Sequence, residues 1–280
     1  MRADLHTHSV ASDGTDAPAD LVAAAARAGL TLVALTDHDT TRGWAEAEVA
    51  AARFGVGLLR GAELSCRAGG ISVHLLSYLH DPDDAALLAE GERVRASRQE
   101  RLRAMVDRIA ADLPLTWDDV VAQTRPGTTV GRPHIADALV ALGVVPDRSA
   151  AFASLLATGS PYYVPYYATP LLDAVRMVRA AGGVPVMAHP GAAARGRVVS
   201  DTTIRAAAEA GLAGLEVDHR DHTPEQRAHL AALADELGLL VTGASDYHGA
   251  GKPNRLGEFT TAPEVVAAIA EQGRLPIVGA

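Results

Sequence analysis

The residues with the clearest chemical capacity stand near the start of the chain. Asp4-Leu5-His6-Thr7-His8-Ser9 is followed by Asp13. Side chains alternate along an extended strand, so His6 and His8 point to one side. Two imidazoles at a strand end, with a carboxylate five residues on, make a cradle for a divalent cation. Two incidental histidines on the surface are the plain alternative. Donors of the same kind recur in Thr36-Asp37-His38-Asp39, Gly61-Ala62-Glu63, His74, Ala188-His189-Pro190, Glu216 and Ser245-Asp246-Tyr247-His248. Imidazole and carboxylate without thiolate suit manganese, iron or zinc better than magnesium alone, and manganese is favoured.

Such donors need elements that aim them at one place. Asp16 is expected to cap a helix that has Pro18 in its first turn and ends at Gly29. Strands are predicted at Leu32–Thr36, Val56–Leu59, Ile71–Tyr78, Val184–Ala188, Leu215–Val217 and Leu239–Gly243. Helices are predicted at Trp44–Phe54, Leu171–Ala181, Ile204–Ala210, Pro224–Leu237 and Pro263–Gln272. After Asp81 the alternation breaks. Helical patterns at Asp83–Ala111, Trp117–Gln123, Arg132–Leu142 and Ala150–Ala157 follow one another, closed by Ser160–Pro165. The reading is an α/β chain: a parallel sheet closed or nearly closed into a barrel over residues 1–96 and 167–280, with a helical insertion over 97–166. Barrel sites lie at the C-terminal ends of the strands. His6, His8, His38, Glu63, His189, Glu216, Asp246 and His248 fall at or just after such ends. His74, inside its strand, fits less well.

Composition agrees. The 280 residues are 48% hydrophobic but only 4% aromatic, which suits aliphatic helices packed on parallel strands. A net charge of −9 argues against gripping long nucleic acid. The one basic run, Arg93 to Arg108, reads as a solvated helix face. No apolar run is long enough for a bilayer, and no signal peptide is evident. Cys66 is the only cysteine, which excludes an internal disulfide and fits a cytoplasmic setting.

The ordered motifs from Asp4 to His248 resemble those of the PHP family, the polymerase and histidinol phosphatase superfamily. The resemblance implies a distorted (β/α)7 PHP barrel and a site of three divalent metal ions that hydrolyses phosphoesters. It implies that His6, His8, Glu63 and Asp246 hold the first metal. Glu63 bridges to a second held by His74 and His189, and Asp13, His38 and His248 hold the third. Glu63, Asp246 and His189 would then be central to catalysis, with a metal-bridging hydroxide as nucleophile. The placement of the insertion is similar to stand-alone members that act on nucleoside monophosphates, 3′,5′-bisphosphates and short 5′-phosphorylated RNA. Small phosphorylated nucleotides are therefore the expected substrates, without long nucleic acid or membrane partners.

Outside the ligands the expectations are these. Arg132 and His134 open an insertion helix and supply substrate recognition, or else only stitch the insertion to the barrel. His222 and Arg197 lie on loops after strands and are further candidates for substrate contact. Asp37, Asp39 and Glu216 orient ligating histidines, or cap and turn the chain. Arg195 and His219 read as plain surface residues, and His80 and His229 as exposed ones. The competing functions are a histidinol-phosphate-type phosphatase, a regulatory metal-binding module without activity, and metal-dependent C–N hydrolysis. The last typically uses a bridging lysine, and only Lys252 lies near a motif.

Overall fold

A computed structural model describes residues 1–279. The alternation is present over most of the chain: β1 (Ala3–Asp4), α1 (Pro18–Arg27), β2 (Leu32–Leu35), α2 (Trp44–Phe54), β3 (Gly57–Ala68) and β4 (Ile71–Tyr78). Four helices follow, α3 (Ala85–Ala110), α4 (Trp117–Val121), α5 (Arg132–Ala141) and α6 (Arg148–Ala153). The rest is β5 (Thr169–Pro170), α7 (Leu171–Ala180), β6 (Val184–Ala188), α8 (Asp201–Glu209), β7 (Gly214–Asp218), α9 (Pro224–Leu237), β8 (Leu240–Gly243) and α10 (Pro263–Gln272). The α1 helix is not capped by Asp16, which instead accepts from the Tyr247 hydroxyl at 2.8 Å; Ala17 occupies the cap position. Among the described residues no helix is long and apolar enough to cross a membrane.

The strands run β1-β2-β3-β4-β6-β7-β8, with β5 added beside β3. The sheet is not wholly parallel, which corrects the sequence reading. β4 runs antiparallel to both β3 and β6. The cause is local. Ala68 pairs with Ile71, leaving Gly69 and Gly70 as a two-residue turn with φ of +54° and +76°. Glycine adopts that left-handed geometry without a Cβ clash, and it closes a tight hairpin. The sheet then curls until its ends meet. His8 N donates to Tyr247 O at 2.8 Å, and Asp4 accepts from Ser245 N at 3.0 Å and Gly257 N at 2.8 Å.

Aliphatic packing holds the strand ends in place. Leu5, Leu32, Leu59, Leu76, Tyr78, Val184 and Val186 fill the barrel interior. The Tyr78 hydroxyl donates to Leu5 O at 2.9 Å, so the one aromatic ring there also meets its polar need. Helices α1 and α2 cover one side through Leu21, Val22, Trp44 and Ala47, and α7 to α9 cover the other through Val175, Ile204 and Leu233. The helices α3 to α6 have a core of their own, including Met105, Ile109, Val120, Ile135 and Leu139. Helix α3 is continuous from the barrel side into that core.

Candidate metal centre and active site

The strand ends converge. His6 and His8 follow β1, His38 follows β2, Glu63 lies in β3, His189 follows β6, and Asp246 and His248 follow β8. His74 joins them because β4 is reversed. Its register partners are Ser65 and Ala188, so it points at the same mouth although it lies mid-strand. Glu63 sits at the centre. Its Oε2 lies 3.3 Å from His6 Nε2, 3.1 Å from His8 Nε2 and 3.1 Å from His38 Nδ1. Its Oε1 lies 2.8 Å from His74 Nδ1 and 3.2 Å from His189 Nε2. Asp13 lies 3.2 Å from His248 Nε2 and 3.7 Å from His38 Nε2. Asp246 Oδ1 lies 3.4 to 3.5 Å from His6, His8 and His248.

These donors form three groups whose candidate ligand atoms lie within 4.8 Å of one another: His6, His8, Glu63 and Asp246; His8, Asp13, His38 and His248; and His38, Glu63 and His74. The first is the group implied by the resemblance. In the others His8 and His38 are shared between neighbours, while His189 stays on Glu63 Oε1. The residues fit cations. Buried imidazoles crowd together, with His6 Nε2 only 3.0 Å from His8 Nε2. His38 Nδ1 and His248 Nε2 are buried and make no hydrogen bond, so their lone pairs face the centre unspent.

The electrostatics point the same way. Burial raises the Glu63 carboxyl, but His74, His38 and His6 outweigh it and hold it well below its usual range. Burial and Arg195 push His189 down to about 3, and burial with Lys252 pushes His248 down to about 4. Ionised carboxylate and neutral imidazole are the forms that bind metal. Burial alone would lower His6, yet Glu63, Glu216 and Asp246 lift it well above its usual value. The pocket therefore draws positive charge to its centre.

Surrounding groups fix these donors. Glu216 Oε1 lies 3.0 Å from His6 Nδ1, and its Oε2 accepts from His189 N at 2.9 Å. Asp37 and Asp39 hold backbone amides, serine hydroxyls and the Arg98 guanidinium rather than an imidazole. Asp37 accepts from Ser9 N, Ser9 Oγ and Ser12 Oγ at 2.6 to 2.8 Å, which folds the loop carrying Asp13. Gly14 in that loop has no room for a Cβ, which would fall 2.2 Å from His8 O. Asp39 accepts from Ser65 N and Arg98 Nη1 at 2.7 and 3.0 Å. His189 and Asp246 have φ of +32° and +54°, conformations held only where the surroundings over-determine them.

Several expectations outside the ligands need correction. Arg195 is no free surface residue: Nη2 donates to Asp246 Oδ2 at 2.7 Å and Nε to Asp221 Oδ2 at 2.5 Å. Lys252 Nζ donates to the same Asp246 oxygen at 3.0 Å. His219 is fully buried, its ring centroid 5.5 Å from that of His189 and its Nε2 3.7 Å from Asp246 Oδ2. His80 is also buried, beside Trp44. His222 spends both ring nitrogens on backbone, Nδ1 on Val217 O at 2.8 Å and Nε2 on Gly191 N at 3.1 Å, which leaves none for substrate. Arg197 is exposed on the loop after β6, and His229 is exposed on α9. In α5, His134 Nδ1 accepts from Gly131 N at 3.0 Å, and Arg132 Nη1 donates to Leu156 O at 2.9 Å. The Arg93–Arg108 run is not a uniformly solvated face, since Arg98 and Arg101 are buried.

A barrel whose mouth gathers imidazoles and carboxylates around one shared glutamate defines a hydrolase class built on metal ions. Comparison with known proteins names the family. Residues 4–106 match the PHP domain. The chain is 37% identical over 253 residues to the 3′,5′-nucleoside bisphosphate phosphatase of Chromobacterium violaceum, spanning 90% of this chain and 89% of that protein. It is 33% identical to a 5′-3′ exoribonuclease of Haemophilus influenzae, over 88% of this chain and 89% of that one. It is also 33% identical to the phosphoribosyl 1,2-cyclic phosphate 1,2-diphosphodiesterase of Eggerthella lenta, over 89% and 95%. Among solved structures, a candidate metal-dependent phosphoesterase of Bifidobacterium adolescentis superposes with a TM-score of 0.95 at 46% identity, covering 97% of this chain and 96% of that one. An amidohydrolase of Chromobacterium violaceum, with bound sulfate and no metal, gives 0.86 at 34% identity and 97% of each chain. The chain belongs to the PHP family and is a metal-dependent phosphoesterase, a hydrolase of phosphoric ester bonds.

Proposed function

We propose that the enzyme removes phosphate from small phosphorylated nucleotides, namely nucleoside monophosphates, 3′,5′-bisphosphates and short 5′-phosphorylated RNA. One observation carries the reading: five imidazoles contact the two oxygens of Glu63. A carboxylate so shared is what neighbouring cations need to offset their repulsion. His6, His8, Glu63 and Asp246 would hold one cation, His74, His189 and Glu63 a second, and Asp13, His38 and His248 a third. Manganese, iron and zinc all suit this donor set better than magnesium alone, and three manganese ions are the favoured occupants. Bound there, such ions supply a water of lowered pKa and neutralise phosphate oxygens.

The chain's own groups do the rest. Glu216 keeps the His6 ring turned inward and ties it to the His189 backbone. Arg195 and Lys252 hold the outer oxygen of Asp246, so its inner oxygen faces the imidazoles. Residues 97–166 act as a lid subdomain over the mouth, and Arg132 and His134 belong to its substrate face. The names of the relatives from Chromobacterium violaceum and Haemophilus influenzae support nucleotide and RNA substrates.

The test is phosphate release with manganese from a panel of AMP, adenosine 3′,5′-bisphosphate, pApA and histidinol phosphate. Turnover of the nucleotides well above histidinol phosphate is expected. Preference for histidinol phosphate, or no turnover of any nucleotide, would overturn the reading.

A further inference from the structure

The loop that carries Asp13 is held by two parts of the chain. From the barrel, Asp37 accepts from Ser9 N and from the Ser9 and Ser12 hydroxyls. Within the loop, Ser9 O accepts from Ser12 N and Gly14 N at 3.1 and 3.0 Å. These bonds fix the turn itself. The carbonyls of Val10, Ala11 and Asp13 remain, and the helical insertion takes all three. Thr128 Oγ1 donates to Val10 O at 2.8 Å. Thr129 N donates to Ala11 O at 2.9 Å. Arg148 Nη1 donates to Asp13 O at 3.2 Å. Among the described residues no barrel group bonds any of these three carbonyls.

Arg148 is built to hold its place. It opens α6, and its Nε and Nη2 donate to the two oxygens of Asp137 in α5 at 2.5 and 2.6 Å. A two-point pair of this kind fixes the plane of the guanidinium as well as its position. The Arg148 side chain is 15% exposed, so the pair is partly shielded from the water that weakens a surface one. The third nitrogen is left for Asp13. It also lies against the turn after His248, where a Cβ on Gly251 would collide with it. Gly251 N in turn donates to His248 O at 3.3 Å. One guanidinium of the insertion therefore braces the chain beside two ligands, Asp13 and His248, whose side chains meet at 3.2 Å. The chain bearing Glu63 and His74 is held differently, by pairing between β3, β4 and β6 within the barrel.

We infer that Arg148 is a positioning residue for the third cation: it ties the insertion to the Asp13 loop and the His248 turn, so that docking of the insertion and filling of the Asp13–His38–His248 site favour one another. This rests on the three-metal reading above. The coupling is reciprocal by linkage, since whatever helps the ion bind the docked form is helped by the ion in return.

The test uses the full chain, made metal-free by chelation and dialysis. The probe is Mn(II) alone, with the free ion read by electron paramagnetic resonance. Wild type is expected to bind three ions. Arg148→Met should weaken one of them roughly 10-fold or more and leave the other two within about threefold, the size of effect expected when a group that orients a ligand is removed. Arg148→Lys keeps one donor but loses the paired grip, and should fall between. Asp137→Asn touches no proposed ligand, yet it should weaken the same ion by releasing the guanidinium, and it serves should the methionine variant fold poorly. Hydrogen exchange supplies a reading that does not count ions. The Thr129 amide, bonded to Ala11 O, should exchange more slowly once the last ion is added to wild type, and Arg148→Met should lose most of that slowing. Equal weakening of all three ions, with a lower melting temperature of the metal-free variant, would make Arg148 a general structural support and overturn the inference. Three ions bound as tightly in the variants as in wild type would overturn it as well. Fewer than three ions in wild type itself would overturn the three-metal reading, and the inference with it.

Discussion

Arg195 Nη2 donates to Asp246 Oδ2 at 2.7 Å, on the side of the carboxylate turned away from His6, His8 and His248. Lys252 reaches the same oxygen at 3.0 Å. The opposite oxygen, Oδ1, lies 3.5 Å from His6 and His8. A carboxylate held from behind by two cations cannot swing its inner oxygen away. Arg195→Gln leaves Lys252 in place and should loosen this orientation without abolishing it. Metal affinity or kcat/KM is expected to fall roughly 10–100-fold, the usual effect of removing a partner that orients a ligand. A manganese titration and steady-state kinetics check it, and Arg195→Lys should recover part of the loss. Unchanged values for both quantities would limit Arg195 to tying its loop to Asp221.

Glu63→Gln should be far more severe. An amide offers one neutral acceptor where five imidazoles meet two charged oxygens. Turnover is expected at about a hundredth of wild type or less, with bound metal falling by more than one ion per chain. Metal analysis after dialysis and far-UV circular dichroism check it. A variant with near-normal kcat would show that Glu63 is not shared between cations.

How much of this was legible beforehand depended on whether a residue's role is local. Strand ends are local, so His6, His8, His38, Glu63, His189, Asp246 and His248 could be located from pattern alone. His74 fits the strand-end pattern poorly in sequence because its reach depends on a reversed strand, of which Gly69-Gly70 is the sequence sign. Arg98 and Arg101 lie on a long charged helix that reads as solvated until Tyr163 and Tyr166 fold against it. Arg195, His219 and His80 are placed by loops whose packing no local pattern encodes. Asp16 has the residue type of a cap, but the Tyr247 hydroxyl, more than two hundred positions away, takes its carboxylate.

Removal of metal should act on stability as well as activity. Thorough chelation is expected to abolish phosphate release, and adding manganese should restore it. Ligands that bind only the folded state stabilise by mass action, about 2.7 kcal/mol at a hundredfold excess over Kd. The melting temperature should therefore rise with manganese concentration in wild type and much less in Glu63→Gln. Full activity after exhaustive chelation would remove the metal mechanism altogether.

The last expectation concerns His80, outside the metal cluster. Its ring packs on Trp44 with centroids 5.2 Å apart, and Nδ1 lies 2.8 Å from Ser77 Oγ. Burial pushes its pKa down to about 4, against an ordinary value of 6.5. Above pH 6.5 the ring is neutral in both folded and unfolded chains, so it adds no pH dependence. Between pH 6.5 and 4 the unfolded chain takes up a proton that the folded chain refuses. The unfolded state then binds more protons, and stability falls as pH falls. The shift corresponds to a loss of roughly 3 kcal/mol once pH drops below 4. His80→Gln removes the titration while retaining a polar group beside Ser77. Its stability at neutral pH should drop through lost packing on Trp44, but its decline from pH 7 to 4.5 should be shallower than that of wild type. Urea unfolding across that range, with chelator present throughout, reads the two slopes. Parallel slopes would mean that His80 is protonated in the folded chain as readily as in the unfolded one.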